Sequence, residues 1–323
     1  MADTKPFIIW SGSSWSGSAL ASAAQDLFRQ ETANHQVVTG ADDLAQADIA
    51  FGQPDPETVL TSARLRWVHL TSAGYTRYDR DDLRAALQKR GAVLTNSSHV
   101  YDEPCAQHAL ALMLGLARQL PQCRDDQRTD HAWHTGQRRA DSFLLGPGQT
   151  VLLLGYGAIA RRIVQLLAPF GLNVVAVRRT PQGDENIPIL ADGDEAAVND
   201  ALAQADHVVN LLPESPGTRG YVSAARLACL KPGARFYNIG RGATVDQDAL
   251  LAALESGQLA SACLDVTDPE PLPPDHPLWT APNCFLTPHS AGGHANEDER
   301  LVRHFLSNLA AFERGDPLAD RII

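Results

Sequence analysis

"VLLLGYGAIA", residues 151–160, decides the fold. Four apolar residues make a short strand, and the six that follow read G-x-G-x-x-A. That spacing suits a strand–turn–helix unit that receives a pyrophosphate. Gly155 permits the tight turn, Gly157 lets the backbone approach the phosphates, and Ala160 takes the small position where helix packs on strand. The uncapped N–H groups and partial positive charge of the helix N-terminus favour an anion there. The six letters alone recur by chance, so the context decides. Ile159, Ile163, Leu167 and Phe170 fall on one helix face, Gly171 stops the helix, and a second strand begins at Val174. Gly155, Tyr156, Gly157, Ala158 and Ile159 are therefore the first candidate dinucleotide contacts.

The second strand runs into "RRTP", residues 178–181. Arg178 lies 23 residues beyond Gly155, close to the position about 20 residues on where a carboxylate usually holds the ribose hydroxyls of NAD. A carboxylate repels a 2′-phosphate, whereas a guanidinium binds one through a planar fork. Arg178 and Arg179 thus predict NADP(H) as the preferred cofactor, with Thr180 as a further hydroxyl donor. NAD(H) is the alternative if both arginines simply face solvent.

Further strands are expected at 207–212, 234–239, 262–266 and 284–287, with helical stretches between most of them. "DQDALLAALESG", residues 246–257, is one such helix, with Asp246 as its cap and Gly257 as its stop. Near-continuous apolar strands alternating with helices indicate a parallel sheet covered on both faces. The expected class is α/β: a Rossmann-type doubly wound domain, residues 100–289, inserted into a second, flavodoxin-like α/β substrate domain made of residues 1–99 and 290–323. "SGSSWSGS", residues 11–18, reads as a loop after a strand at 7–10. "EPCAQHALALMLGLARQL", residues 103–120, reads as one buried helix with Pro104 in its first turn. The helix expected at 297–315 cannot fold alone and should return to the first domain.

At 323 residues the chain is long for one core, which agrees with two domains. A net charge of −11 argues against nucleic acid or an anionic membrane surface as partner. Five widely spaced cysteines with no CxxC pair fit neither a disulfide framework nor a zinc site, and point to the reducing cytoplasm. The opening residues lack signal-peptide design, and the apolar run 105–117 is too short to span a bilayer. "HAWH", residues 131–134, has no further ligands at zinc spacing, so no metal is expected. His131 and His134 read as helix-surface or subunit-contact residues.

Three more stretches begin where strands end: "NIGRGATVD" (238–246), "LDVTDPEPL" (264–272) and "LTPHSAGG" (286–293). In an open α/β sheet, ligands sit outside the carboxyl ends of the strands, so Arg241, Glu270 and His289 can converge. Together with "LTSAGYTRYD" (70–79), "CAQHALALMLGLAR" (105–118) and "LLPESPGTRG" (211–220), they resemble the D-isomer-specific 2-hydroxyacid dehydrogenase family over nearly the whole chain. The resemblance implies an NAD(P)-dependent enzyme, a homodimer, that reduces a small 2-oxo acid of the glyoxylate or hydroxypyruvate type. By the same resemblance Arg241 binds the 2-oxo acid, His289 is the general acid, and Glu270 pairs with His289. Backbone N–H groups of Ser72, Ala73 and Gly74 meet the substrate carboxylate. Leu212, Pro213, Ile239 and Gly240 line the cofactor, and Asp265 faces its nicotinamide amide. Gln107 departs from the family, which often has Glu there. The alternative is a nucleotide-sensing, corepressor-like binding protein of the same fold.

Overall fold

The structure is a computed structural model that describes residues 6–12, 19–183 and 185–323. Most of the loop expected at 11–18 lies outside the described residues. The chain forms two compact units, residues 1–101 with 293–323, and residues 102–292.

The first unit is a five-stranded parallel sheet. Its strands are β1 (Ile8–Ser11), β2 (Gln36–Val38), β3 (Ile49–Gly52), β4 (Trp67–Leu70) and β5 (Val93–Thr95), in the order β2-β1-β3-β4-β5. That is the flavodoxin-like order. Alternation along the strands supplies both faces of the sheet. Ile9, Ile49, Phe51 and Trp67 pack with Ala24, Phe28, Val302, Phe305 and Leu309. Trp10, Ala50, Val68, Leu70 and Leu94 pack on the other side with Val59, Leu83 and Leu87. The expected return of the chain is thus observed: helix Glu297–Arg314 lays Phe305 flat on Trp67, ring centroids 5.1 Å apart. Each large apolar side chain buried this way contributes roughly 1.5–3 kcal/mol, which an isolated helix would forfeit.

The second unit holds β6 (Thr150–Leu154), β7 (Asn173–Arg178), β8 (Ile189–Ala191), β9 (His207–Asn210), β10 (Ala234–Asn238), β11 (Leu259–Leu264) and β12 (Cys284–Leu286). The order β12-β11-β10-β9-β6-β7-β8 is the doubly wound Rossmann arrangement with one further strand. All its pairings are parallel. Asp246 caps helix Gln247–Glu255 by accepting from Ala249 N at 3.0 Å.

Three expectations need correction. The expected single helix 103–120 instead runs Ser98–Ala117, so Pro104 lies inside it and not in its first turn. Pro104 has no N–H for the Val100 carbonyl, and the neighbouring turns carry the helix past that gap. The helix ends because Gln119 turns left-handed at φ 58° before Pro121, and a second helix follows at Leu120–Arg128. The edge strand β8 went unread because three residues show no periodicity. "HAWH" lies in coil between two helices, not on a helix.

Candidate active site

The six-residue Gly-rich turn joins β6 to helix Ala158–Leu167. Gly155 has φ 102°, which only glycine adopts without strain, and its N–H reaches Val177 O at 3.0 Å. No side chain caps the helix and its first turn carries no acid, so its leading N–H groups are left for a phosphate. A Cβ at Gly157 would meet nothing within 4 Å, so the approach to that backbone is open. Tyr156 is buried, and its hydroxyl donates to Asn186 Oδ1 at 3.0 Å. Ala158 and Ile159 are half-buried in the first helical turn. These residues fit a dinucleotide.

Arg178 ends β7 as expected, but it is not free. Its Nη1 lies 2.7 Å from Glu185 Oε1. Glu185 also accepts from the N–H groups of Gln182 at 2.9 Å and Gly183 at 2.7 Å. Those backbone donors, reinforced by Arg178, push its carboxyl down to about 2. Arg179 and Thr180 are exposed.

β9 and β10 end in Asn210 and Asn238, both buried. Asn210 Nδ2 donates to Asn238 Oδ1 at 2.9 Å and to Thr244 Oγ1 at 2.7 Å, and Thr244 donates to Arg241 O at 2.6 Å. This network fixes the loop bearing Ile239, Gly240 and Arg241 beside the turn bearing Leu212 and Pro213. Gly242 is required there, because a Cβ would fall 2.0 Å from the Thr267 backbone. Arg241 Nη1 donates to Gly240 O at 2.6 Å, and its guanidinium has no carboxylate partner among the described residues.

Asp265 follows β11 and is buried. Its Oδ1 accepts from Thr287 Oγ1 at 2.6 Å and Ser290 N at 2.9 Å, and its Oδ2 from Ala291 N at 3.0 Å. Its own carbonyl takes the N–H of His289 at 2.8 Å. Asp265 therefore ties down the loop after β12, where His289 sits at the left-handed φ of 50°. His289 Nδ1 lies 2.5 Å from Glu270 Oε1, with side chains 46% and 40% exposed. A contact that exposed adds little stability. Both residues line a cavity of about 450 Å³ with Asp265, Leu272, Trp279 and Leu286.

Ser72, Ala73 and Gly74 lie half-buried after β4, in the first unit. A larger hollow of about 710 Å³ in the second unit runs along residues 118–142. Two of the groups along it are paired: Arg138 grips Asp126 through two nitrogens at 2.7 Å, and His134 meets Asp130 at 2.8 Å.

Residues 110–291 match the family described as D-isomer specific 2-hydroxyacid dehydrogenase, NAD binding domain. The chain belongs to this family. It is 32% identical to the human "glyoxylate reductase/hydroxypyruvate reductase" over 80% of this chain and 77% of that one. It is 30% identical to the "glyoxylate reductase" of Aeropyrum pernix, over 81% and 77%. Its fold superposes with a TM-score of 0.80 on a D-isomer specific 2-hydroxyacid dehydrogenase from Xanthobacter autotrophicus Py2, solved with NADPH and MES; the two are 27% identical over 99% of this chain and 98% of that one. The chain is thus an NAD(P)-dependent oxidoreductase. No described helix is long and apolar enough to cross a membrane.

Several residues that shape the site in this 2-hydroxyacid dehydrogenase escaped the sequence reading. Glu185 follows its partner by seven residues across a loop with no periodic signal. Asn210, Asn238 and Thr244 show a faint one, since an Asn at the end of an apolar strand must find partners when buried. Gln107, the departure from the family, donates to Glu103 one helical turn earlier, and Glu103 pairs with Arg162. A neutral amide there avoids a second carboxylate beside Glu103.

Proposed function

We propose that this dehydrogenase reduces a small 2-oxo acid, of the glyoxylate or hydroxypyruvate type, to the D-2-hydroxy acid, and prefers NADPH. The reading rests first on the His289–Glu270 pair at the strand ends of a dinucleotide-binding sheet. Bound NAD(P)H supplies the hydride to the 2-carbon. With Nδ1 held by Glu270, the imidazole keeps Nε2 for the substrate and delivers its proton to the 2-oxygen. When the reaction runs backwards, Nε2 takes the proton of the 2-hydroxyl back. Arg241 offers the remaining N–H groups of its fork to the carboxylate and the 2-oxo oxygen, binding and polarising together. Ser72, Ala73 and Gly74 offer backbone N–H groups to the same carboxylate. In this reading residues 1–99 with 290–323 are the substrate domain and 100–289 the dinucleotide domain.

The substrate class is supported by the names of the human and Aeropyrum relatives. The cofactor preference is supported by Arg178, Arg179 and Thr180 and by the NADPH in the Xanthobacter protein. Trp133 is 94% exposed, and Leu120 and Leu144 are also exposed. Such side chains favour burial against a second copy, so the protein is proposed to be a homodimer. Five free cysteines fit the cytoplasm. The test is NADPH and NADH oxidation by purified protein with a panel of 2-oxo acids, glyoxylate and hydroxypyruvate first. Turnover of neither cofactor with any 2-oxo acid would defeat the reading.

A further inference from the structure

In the segment 70–74 every backbone carbonyl is taken. Leu70 O accepts from Ser97 Oγ at 2.7 Å, Thr71 O from the Tyr101 hydroxyl at 2.9 Å and Ser72 O from Ser97 N at 3.1 Å. Ala73 O accepts from Asn96 Nδ2 and Gly74 O from Ser72 Oγ, both at 2.6 Å. Four of these five donors come from the turn after β5 and the helix that follows it. The N–H groups of Ser72, Ala73 and Gly74, by contrast, have no acceptor among the described residues. In a trans peptide the carbonyl of one residue and the N–H of the next point in opposite directions. Anchoring the carbonyls of Thr71, Ser72 and Ala73 therefore turns the N–H groups of Ser72, Ala73 and Gly74 away from the anchor. Successive N–H groups presented this way form an anion-binding concavity.

The anchor is itself fixed. Trp67 Nε1 donates to Thr95 Oγ1 at 2.9 Å, and Thr95 Oγ1 lies 2.7 Å from His69 Nδ1. His69 Nε2 lies 3.3 Å from Ser97 Oγ, whose proton goes to Leu70 O. A carbonyl only accepts, so the Ser97 proton goes to Leu70 O and Ser97 Oγ accepts from His69 Nε2; burial keeps His69 neutral, which leaves Nδ1 to accept from Thr95 Oγ1. Asn96 is equally determined. It is 4% exposed, and its Oδ1 accepts from Ser98 N at 3.2 Å and Ser98 Oγ at 3.0 Å, which leaves Nδ2 for Ala73 O.

We propose that Asn96 is a positioning residue for the substrate: by holding the Ala73 carbonyl, it aims the Gly74 N–H at the substrate carboxylate. This rests on the reading of 72–74 as the carboxylate-binding loop. Two variants isolate the donor. Asn96→Asp keeps the shape and the Ser98 contacts but sets an oxygen against Ala73 O. Asn96→Ser keeps a hydroxyl that can accept from Ser98, carries no charge, and is too short to reach Ala73.

Both variants should raise KM for glyoxylate by about tenfold or more, with kcat and the KM of the nicotinamide cofactor within about twofold at a temperature where each variant is folded. Unchanged KM in Asn96→Ser overturns the proposal, and a rise confined to Asn96→Asp assigns the effect to added charge and overturns it too. A parallel loss of kcat, cofactor affinity and melting temperature marks a merely structural role. The loop reading is tested separately, by following the amide resonances of Ala73 and Gly74 in the parent protein as oxalate is added to the cofactor complex. Amides that do not move remove the loop from the site. Amides that move while Asn96→Ser keeps its KM leave the loop in place and reject Asn96 alone.

Discussion

Arg178 is held by Glu185, with Nη1 and Oε1 2.7 Å apart and the carboxylate side chain 4% exposed. Glu185 is so well furnished with donors that its carboxyl is pushed down to about 2, and it is ionised at neutral pH. The arginine that ends β7 therefore arrives already compensated. If the proposed NADPH preference holds, a 2′-phosphate would have to share Arg178 with Glu185, while Arg179 is exposed.

Removing that compensation should sharpen cofactor choice. Glu185→Gln keeps the size of the side chain and discards its charge. The ratio of kcat/KM for NADPH over NADH should rise by about three- to tenfold, the scale of one charge-assisted hydrogen bond in a partly exposed site. Steady-state kinetics with both cofactors decide the matter. A falling ratio would show that Glu185 instead orients Arg178 for the phosphate.

The two arginines should not be equal. Arg179→Ala is expected to lower NADPH affinity more than Arg178→Ala, and the double variant should lose about 10- to 100-fold for NADPH while NADH changes less than about threefold. Cofactor titrations followed by fluorescence measure this. Equal losses for NADPH and NADH would return both side chains to solvent.

What was legible and what was not follows from the range of each interaction. The turn at 155–160 and the capped helix after Asp246 are local, and each is specified by residues within one or two turns of chain. The covered parallel sheet was legible because strands buried on both faces need no alternation. Glu185 was not legible, since nothing in "PQGDENIP" says which carboxylate folds back onto Arg178. The anchoring of 70–74 by Asn96 and Ser97 was hidden for the same reason: more than twenty residues separate the partners, and only the β4–β5 pairing brings them together. The break at Gln119 could have been read from Pro121, but the apolar run before it argued for continuity.

His289 and Glu270 should divide their effects. His289→Asn removes the proposed proton donor and should lower kcat by about 10²- to 10⁴-fold, leaving cofactor affinity within about twofold. Glu270→Gln retains a hydrogen-bond partner for Nδ1 but not the charge, and should cost less, about 10- to 100-fold in kcat. Stopped-flow reduction of the 2-oxo acid separates chemistry from product release. A Glu270→Gln loss equal to that of His289→Asn would mean that the charge matters as much as the proton itself. Unchanged turnover in His289→Asn would take it out of the mechanism.

Acid should destabilise both units through buried histidines. Burial holds the His69 imidazole down to about 3, the neighbouring His304 adding to it, and burial with Arg235 nearby holds His207 down to about 4. Unfolded, each titrates near about 6.5. Between the unfolded and folded values the unfolded chain binds a proton that the folded chain refuses, so the stability is complete above the unfolded value and drains away as pH falls. The slope is about 1.4 kcal/mol per pH unit for each histidine inside its window. Below about 4 His207 also charges in the folded state, and only His69 continues to contribute. His207→Asn carries no titrating ring. Whatever its stability at neutral pH, its unfolding free energy should fall less steeply between pH 6 and 5 than that of the parent, by about that one-proton slope. Denaturant unfolding across that range reads the difference directly, and parallel lines for the two proteins would show that His207 takes up its proton without unfolding.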